Sequence, residues 1–281
     1  MSSRLSRRSF LTVAAVGPLG LALGANTGSG SFMLQGEAMQ GGWLRGNAPA
    51  GTRTLLLNGA AVDLAPDGRF LIAFDRDAGP EAKLAAIMPD NSVREQALAI
   101  APRAWRIENV NAPLRPGKLP DAEYERIRAA ELDQIRAARS LQTGAQGWRQ
   151  AFAWPAAGRI SGRFGSQRVY QGQPGAYHSG LDIAGPTGAP FIAPADGTVI
   201  LSAETPFSLE GRLLMIDHGM GLNSAFLHCS AHLVKAGDRI VQGQPIGHIG
   251  ATGRASGPHL HWSLKWRESR LDPMLFLPPR T

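Results

Sequence analysis

Turn residues cut this chain into short apolar runs, and that punctuation limits what it can fold into. Its 281 residues include 34 glycines and 20 prolines. Thr54-Leu-Leu-Leu57, the run from Arg69 to Phe74, and Leu213-Leu-Met-Ile216 are all of strand length. Asn58-Gly59 and Asp67-Gly68 stand between such runs, and these dipeptides between strand-like segments signal hairpins. From Trp148 onward no helical run separates one candidate strand from the next, which argues for compact β structure and against a doubly wound α/β sheet.

The expected fold is therefore mainly β, with a small β-sandwich-like domain over residues 43–112 and a β-rich domain over 148–281. Residues 113–147 read as a proline-bounded hinge followed by a helical linker. In that linker Tyr124, Ile127, Leu132 and Ile135 recur at roughly helical spacing, and Asp121 is placed to cap the first turn. One short helix is marginal alone in water, so it should pack on a domain. Residues 26–42, rich in glycine and serine, read as a flexible lead-in.

Residues 1–25 read as an export leader. Ser6-Arg7-Arg8-Ser9-Phe10-Leu11 opens an apolar stretch, LTVAAVGPLGLALGA, that ends in small residues. This resembles a bacterial twin-arginine signal, which implies delivery to the periplasm. Retention of the leader would tether the chain to the membrane; after cleavage near Ala25 no stable transmembrane segment is expected. The formal net charge of +7 suits an anionic envelope surface, but no basic-aromatic stripe points to nucleic acid. Cys229 is the only cysteine, so an internal disulfide and any cysteine-rich zinc site are excluded.

All seven histidines lie between His178 and His261. His178-Ser-Gly-Leu-Asp182 offers an imidazole and a carboxylate, and His259-Leu-His261 offers two imidazoles that share a face if the segment is extended. Ser179-Gly180 would let the chain turn so that His178 and Asp182 reach one ion. Catalytic zinc commonly takes three protein ligands and keeps one position open. Spacing alone leaves open whether both histidines of the His-x-His pair are ligands. Without Glu in an HExxH run, a thermolysin-like helix site is excluded.

His178-Ser-Gly-Leu-Asp182, Ile-Asp-His218-Gly, Phe-Leu-His228 and the stretch from Ala251 to His261 together resemble the M23 metallopeptidases of the LytM or lysostaphin type. The resemblance covers about residues 154–276 and implies a C-terminal LytM/lysostaphin-type peptidase domain. It implies one zinc ion on His178, Asp182 and His261, and catalytic roles for His228 and His259. On this reading His259 orients or deprotonates water and His228 stabilises the intermediate or protonates the leaving amine, two roles open to exchange. The implied activity is hydrolysis of peptide bonds in peptidoglycan stem peptides or crosslinks, with D-alanyl–diaminopimelate as the expected bond. The alternative is a non-catalytic LytM-like activator of a cell-wall amidase, although such relatives generally lose metal-site residues. An envelope regulatory protein is a possible partner. His218 is expected to be structural or groove-lining, His232 and His248 to be turn or surface residues, and Cys229 to point away from the cleft. Arg163, Phe164, Arg168 and Tyr177 are candidate groove residues.

Overall fold

The computed structural model describes residues 31–111 and 122–280. The leader, the hinge at 113–120 and the cap at Asp121 lie outside these residues.

The N-terminal part is two small antiparallel sheets. One orders β1 (Met33–Gly36), β2 (Trp43–Asn47) and β5 (Arg69–Ala73) side by side. The other has the order β4 (Ala60–Val62), β3 (Thr54–Leu57), β6 (Glu81–Ile87) and β7 (Val93–Ala99). Phe70, Ile72, Leu55 and Leu84 are almost fully buried, in line with the sandwich-like expectation. Asn58 and Gly59 both have positive φ at the β3–β4 hairpin, as an Asn-Gly turn requires.

Three details differ from the sequence reading. The expected flexible lead-in is ordered from Ser31, because Met33–Gly36 pairs along β2 and Phe32 sets its ring edge-on against Phe70. The strand expected to end the N-terminal domain, β8 (Ile107–Val110), pairs in parallel with β10 (Gln167–Tyr170) instead. The apolar stripe of α1 (Ala122–Arg139) is only partly used: Ile135 and Ala138 are buried, while Tyr124 and Ile127 stay about 40% exposed. The helix meets the C-terminal sheet through Ile200, Ala203, Leu213 and Met215. A buried carboxylate, Glu131, takes the place of an apolar residue on that face.

The C-terminal part is built on one large sheet. Its order is β18 (Arg239–Ile240), β14 (Gly197–Ser202), β15 (Arg212–Gly219), β16 (Leu222–Cys229), β20 (His259–Trp266), β12 (Leu181–Ala184) and β9 (Ile160–Gly162), with β21 (Ser269–Leu271) also on β20. A second sheet joins β13 (Pro190–Ile192), β19 (Pro245–His248) and β17 (Ala231–His232), while β11 (Gln173–Pro174) pairs with β10. Ile216, Phe226, Leu260 and Trp262 alternate onto one face and join Phe152, Phe191 and Ile183 in the core. Each large side chain so buried contributes about 1.5–3 kcal/mol.

The two parts share an extensive contact. Arg103 pairs with the buried Asp272 at 2.7 Å, Arg149 with Asp67 at 2.8 Å and Arg267 with Asp63 at 3.1 Å. Trp43 donates its indole N–H to the carbonyl of Leu275 and packs on Phe276.

Behind the large sheet His218 is fully buried, as the structural reading of this residue expects. Its Nδ1–H donates to the carbonyl of Asp196, and its Nε2 accepts from Ser224, whose Oγ accepts from the Trp262 indole. Burial pulls its pKa down to about 4. The unfolded chain takes up this proton near pH 6.5, whereas the folded protein resists it until about pH 4. The unfolded state then binds more protons, so stability should fall as pH drops through that window. Urea unfolding between pH 7 and pH 4 tests this. His218→Leu should lose about 1–3 kcal/mol at pH 7 through its broken hydrogen bonds and show a shallower acid decline.

Candidate metal centre

Strand register brings the first two groups together. β12 and β20 are antiparallel with Asp182 directly opposite His261 and Ala184 opposite His259. Cross-strand partners project from the same face with Cβ atoms about 4.5–5.5 Å apart. Asp182 Oδ1 consequently lies 2.8 Å from His261 Nδ1. His259, two residues earlier on the same strand, follows onto that face with its Nε2 3.7 Å from Asp182 Oδ1. Leu260 between them is fully buried on the opposite side.

His178 reaches the pair from the loop before β12. Its Nε2 is 3.0 Å from Asp182 Oδ1 and 3.1 Å from His261 Nδ1. Two glycines make room. A Cβ on Gly162 would lie 2.3 Å from Asp182 Oδ2, and one on Gly180 would lie 2.7 Å from His261 Nε2. The loop requires close backbone approach at both positions, which only glycine permits without displacement.

His228 arrives by a different device. Phe226 and His228 would share the core-facing side of a regular strand, yet the His228 ring centre is 5.0 Å from that of His259 and 6.2 Å from that of His261. Between the pairs Leu214–Phe226 and Arg212–Cys229, β16 uses one residue more than β15. His228 sits in this bulge with φ +64°, a conformation rare outside glycine, and the bulge turns its ring into the cleft. Its backbone N–H donates to the carbonyl of Glu210 at 2.8 Å.

Hydrogen bonds to carbonyls orient three of the four rings. Nδ1–H of His178 faces the carbonyl of Arg163 at 3.0 Å, that of His228 faces Thr252 at 2.8 Å, and that of His259 faces Gly257 at 2.8 Å. Each neutral ring then presents the lone pair of Nε2 to the cleft.

Burial pushes the Asp182 carboxyl upward, but hydrogen bonds from His178 and His261 outweigh it and hold the group well below the usual carboxylate range. Burial likewise pulls His178 down, and the hydrogen bond and charge of Asp182 more than offset that, leaving its pKa raised. His261 and His228 are lowered, chiefly by burial.

His178, Asp182 and His261 are the group of metal-binding type found among the described residues. The donor set fits zinc. Zinc–ligand bonds of about 2.0–2.2 Å imply ligand–ligand edges of roughly 3.3 Å in a tetrahedron. The three donor atoms are 2.8, 3.0 and 3.1 Å apart, so a spread of a few tenths of an ångström admits the ion. Two neutral imidazoles and one carboxylate would leave the site at a net charge of about +1 with such a dication. His228 and His259 face the cluster from its open side.

The remaining sequence candidates separate clearly. Cys229 is fully buried, its thiol pushed up to about 12 by burial, so it faces away from the cleft as expected. His232 is half-buried in β17 and contacts Ser202 Oγ at 2.9 Å, not a free surface residue as expected, because its strand is laid along β19. His248 is half-buried on β19. Phe164 is buried against Tyr177 and Trp105, so it supports a wall instead of lining a groove, whereas Arg168 is exposed and paired with Glu108. Sequence reasoning placed Arg163 only as a groove candidate and missed that its backbone carbonyl accepts from His178 Nδ1–H, although its place beside Gly162 was a signal of close backbone packing.

Residues 176–273 match peptidase family M23. The peptidoglycan DD-endopeptidase ShyA of Vibrio cholerae is 38% identical over 117 residues, which span 41% of this chain and 27% of that protein. The murein hydrolase activator NlpD of Salmonella typhimurium is 30% identical over 130 residues, 46% of this chain and 32% of its own. The chain thus spans only about a quarter to a third of the length of these curated relatives. A crystal structure of a candidate M23 peptidase from Pseudomonas aeruginosa superposes with a TM-score of 0.66 at 26% identity, covering 86% of this chain and 95% of the other. That likeness extends through the N-terminal sheets as well as the histidine cluster. The domain that holds residues 176–273 thus belongs to peptidase family M23.

Proposed function

We propose that the chain is a zinc-dependent endopeptidase that hydrolyses peptide bonds in peptidoglycan stem peptides or crosslinks, with the D-alanyl–diaminopimelate bond as its target. The observation that carries this reading is the convergence of His178, Asp182 and His261 on one point with His228 and His259 facing it. A relative that is a peptidoglycan DD-endopeptidase supports the substrate class. The amidase-activator alternative draws on NlpD, but an activator has no need of a complete three-donor cluster or of a strained histidine aimed at it. The twin-arginine-like sequence of residues 1–25 and the proposed substrate support a periplasmic location as part of this reading. Among the described residues no helix is long and apolar enough to cross a membrane.

Bound zinc would supply Lewis acidity toward the scissile carbonyl and acidify water. The protein's own groups do the rest. His178, Asp182 and His261 would hold the ion, and the backbone carbonyl of Arg163 keeps His178 in the tautomer that can do so. His259, with Nδ1–H held by Gly257, presents Nε2 to take a proton from the attacking water. His228, neutral at rest because burial lowers its pKa, takes over that proton and donates it from Nε2 toward the developing oxyanion and then to the leaving amine. Its positive-φ backbone fixes that ring before substrate arrives, so little reorganisation is needed during reaction.

Mass spectrometry of crosslinked muropeptides before and after incubation tests the function. Zinc-loaded protein should release products with new amine and carboxyl ends at the D-alanyl–diaminopimelate bond. His259→Ala should keep stoichiometric zinc while slowing release by about 10²–10⁴-fold. Rapid digestion by that variant would remove His259 from the mechanism, and unchanged muropeptides with the zinc-loaded wild type would remove the activity.

Zinc affinity should also depend on pH in a defined direction. The pKa of His178 is raised, so a proton competes with the ion from a higher pH than at an ordinary histidine near 6.5. Asp182 remains ionised across the whole range. Competition titrations with a chelator from pH 8 to pH 5 should show affinity falling as pH drops, with the fall starting above the pH at which an ordinary histidine takes up its proton; a constant affinity over that range would contradict the assigned ligand set.

A further inference from the structure

The loop that carries His178 is held from outside the C-terminal sheet. Its backbone N–H donates to the carbonyl of Ser166 at 2.8 Å, and the N–H of Gly165 donates to the carbonyl of His178 at 2.9 Å. Together with the Arg163 carbonyl at His178 Nδ1, these bonds make residues 163–166 the cradle of the ligand. Gly165 has φ +79°, and a Cβ there would lie 2.1 Å from the Trp105 ring. The cradle is therefore pressed directly against the chain leaving the N-terminal sheets.

Arg76, from the loop after β5, fastens that contact. It is 6% exposed. Its Nη2 donates to the carbonyl of Gly165 at 3.2 Å and to Oε1 of Gln167 at 3.0 Å. Its guanidinium lies over Tyr177 at 4.5 Å and over Trp105 at 5.3 Å. Tyr177 immediately precedes His178. Asp77, largely exposed, pairs with Nη1 at 2.7 Å, and Nε is buried without a partner. Burying a cation with one donor unsatisfied is a costly way to glue two domains, since an apolar residue of similar size usually serves adhesion as well. What an apolar residue lacks is a planar fork that fixes two acceptors while it stacks on two rings.

We propose that Arg76 is a positioning residue for His178: by holding Gly165 and Gln167 it keeps the Arg163 carbonyl on Nδ1 and so keeps Nε2 turned to the metal. The N-terminal part would then be a component of the metal centre and not an independent attachment. This rests on the reading of His178 as a zinc ligand.

The test uses the full chain as wild type, Arg76→Met, Arg76→Lys and His178→Ala. Zinc affinity is measured by chelator competition at pH 8, and the His178 tautomer is read in the metal-free protein from ¹⁵N imidazole shifts. Arg76→Met should bind zinc about tenfold more weakly, the lower end of the effect of removing groups that orient a ligand. Its His178 signal should move from the single Nδ1–H form to a mixture. Arg76→Lys, which keeps the charge and one donor, should fall between Arg76→Met and wild type in both readouts. Wild-type affinity or an unmixed tautomer in Arg76→Met overturns the proposal; if that variant does not fold, the same results in Arg76→Lys overturn it. Loss of stoichiometric zinc in His178→Ala, with wild-type binding intact, shows the metal reading standing separately. Unchanged binding in His178→Ala sinks that reading instead.

Discussion

The pairing of Asp182 with His261 across β12 and β20 is the constraint on which the site depends. Register in a sheet is all or nothing, because a slip of one residue turns every side chain to the other face. Here such a slip would send Asp182 into the core and Leu181 and Ile183, both fully buried, into the cleft. The burial of those two residues and of Leu260 and Trp262 on the strand opposite thus fixes the polar pair as firmly as the apolar one. The core and the metal donors are opposite faces of the same two strands.

Not every member of the site comes from a regular strand. His228 needs a bulge and a positive φ, and His178 needs a loop with glycines on two sides. The His228 conformation costs about 1–3 kcal/mol and persists only where its surroundings over-determine it. Around His228 the surroundings are the Glu210 and Thr252 carbonyls. Glu210 is held in turn by two hydrogen bonds from Arg128 of α1, at 2.6 and 2.8 Å, and Glu131 of α1 accepts from Ser208 in the same loop. This explains why the helix buries a carboxylate: Glu131 satisfies the loop that reaches His228.

The legibility of the sequence follows the same division. Strand-length runs and Asn-Gly turns disclosed the β character, because alternation and turn chemistry are local. His-x-His on β20 was readable for the same reason: two residues apart on a strand means one face. The proximity of His178, Asp182 and His261 came from the resemblance of their motifs, since no local rule sets the register of β12 against β20. The bulge at His228 left no mark on the pattern, as nothing in Phe-Leu-His228 announces an extra residue. The partial use of the α1 stripe escaped because Tyr124 and Ile127 have the spacing of a buried face, yet only Ile135 and Ala138, in the last turns of the helix, join the cluster on the sheet. The pairing of β8 with β10 was hidden because a parallel partner sixty residues away has no hairpin to announce it.

Backbone carbonyls are the common currency of the site. His178, His228 and His259 each owe their tautomer to one, from Arg163, Thr252 and Gly257, and no carboxylate stands behind any of the three. A carboxylate in that place would hold an imidazolium and raise its basicity, whereas a carbonyl orients a neutral ring. Orientation is then only as good as the loops that carry the carbonyls. Those loops are fastened from outside the sheet, residues 163–166 by the N-terminal part and residues 208–210 by α1. The large sheet supplies Asp182, His259 and His261 through its own register, and the two loop-oriented histidines tie the site to the rest of the chain.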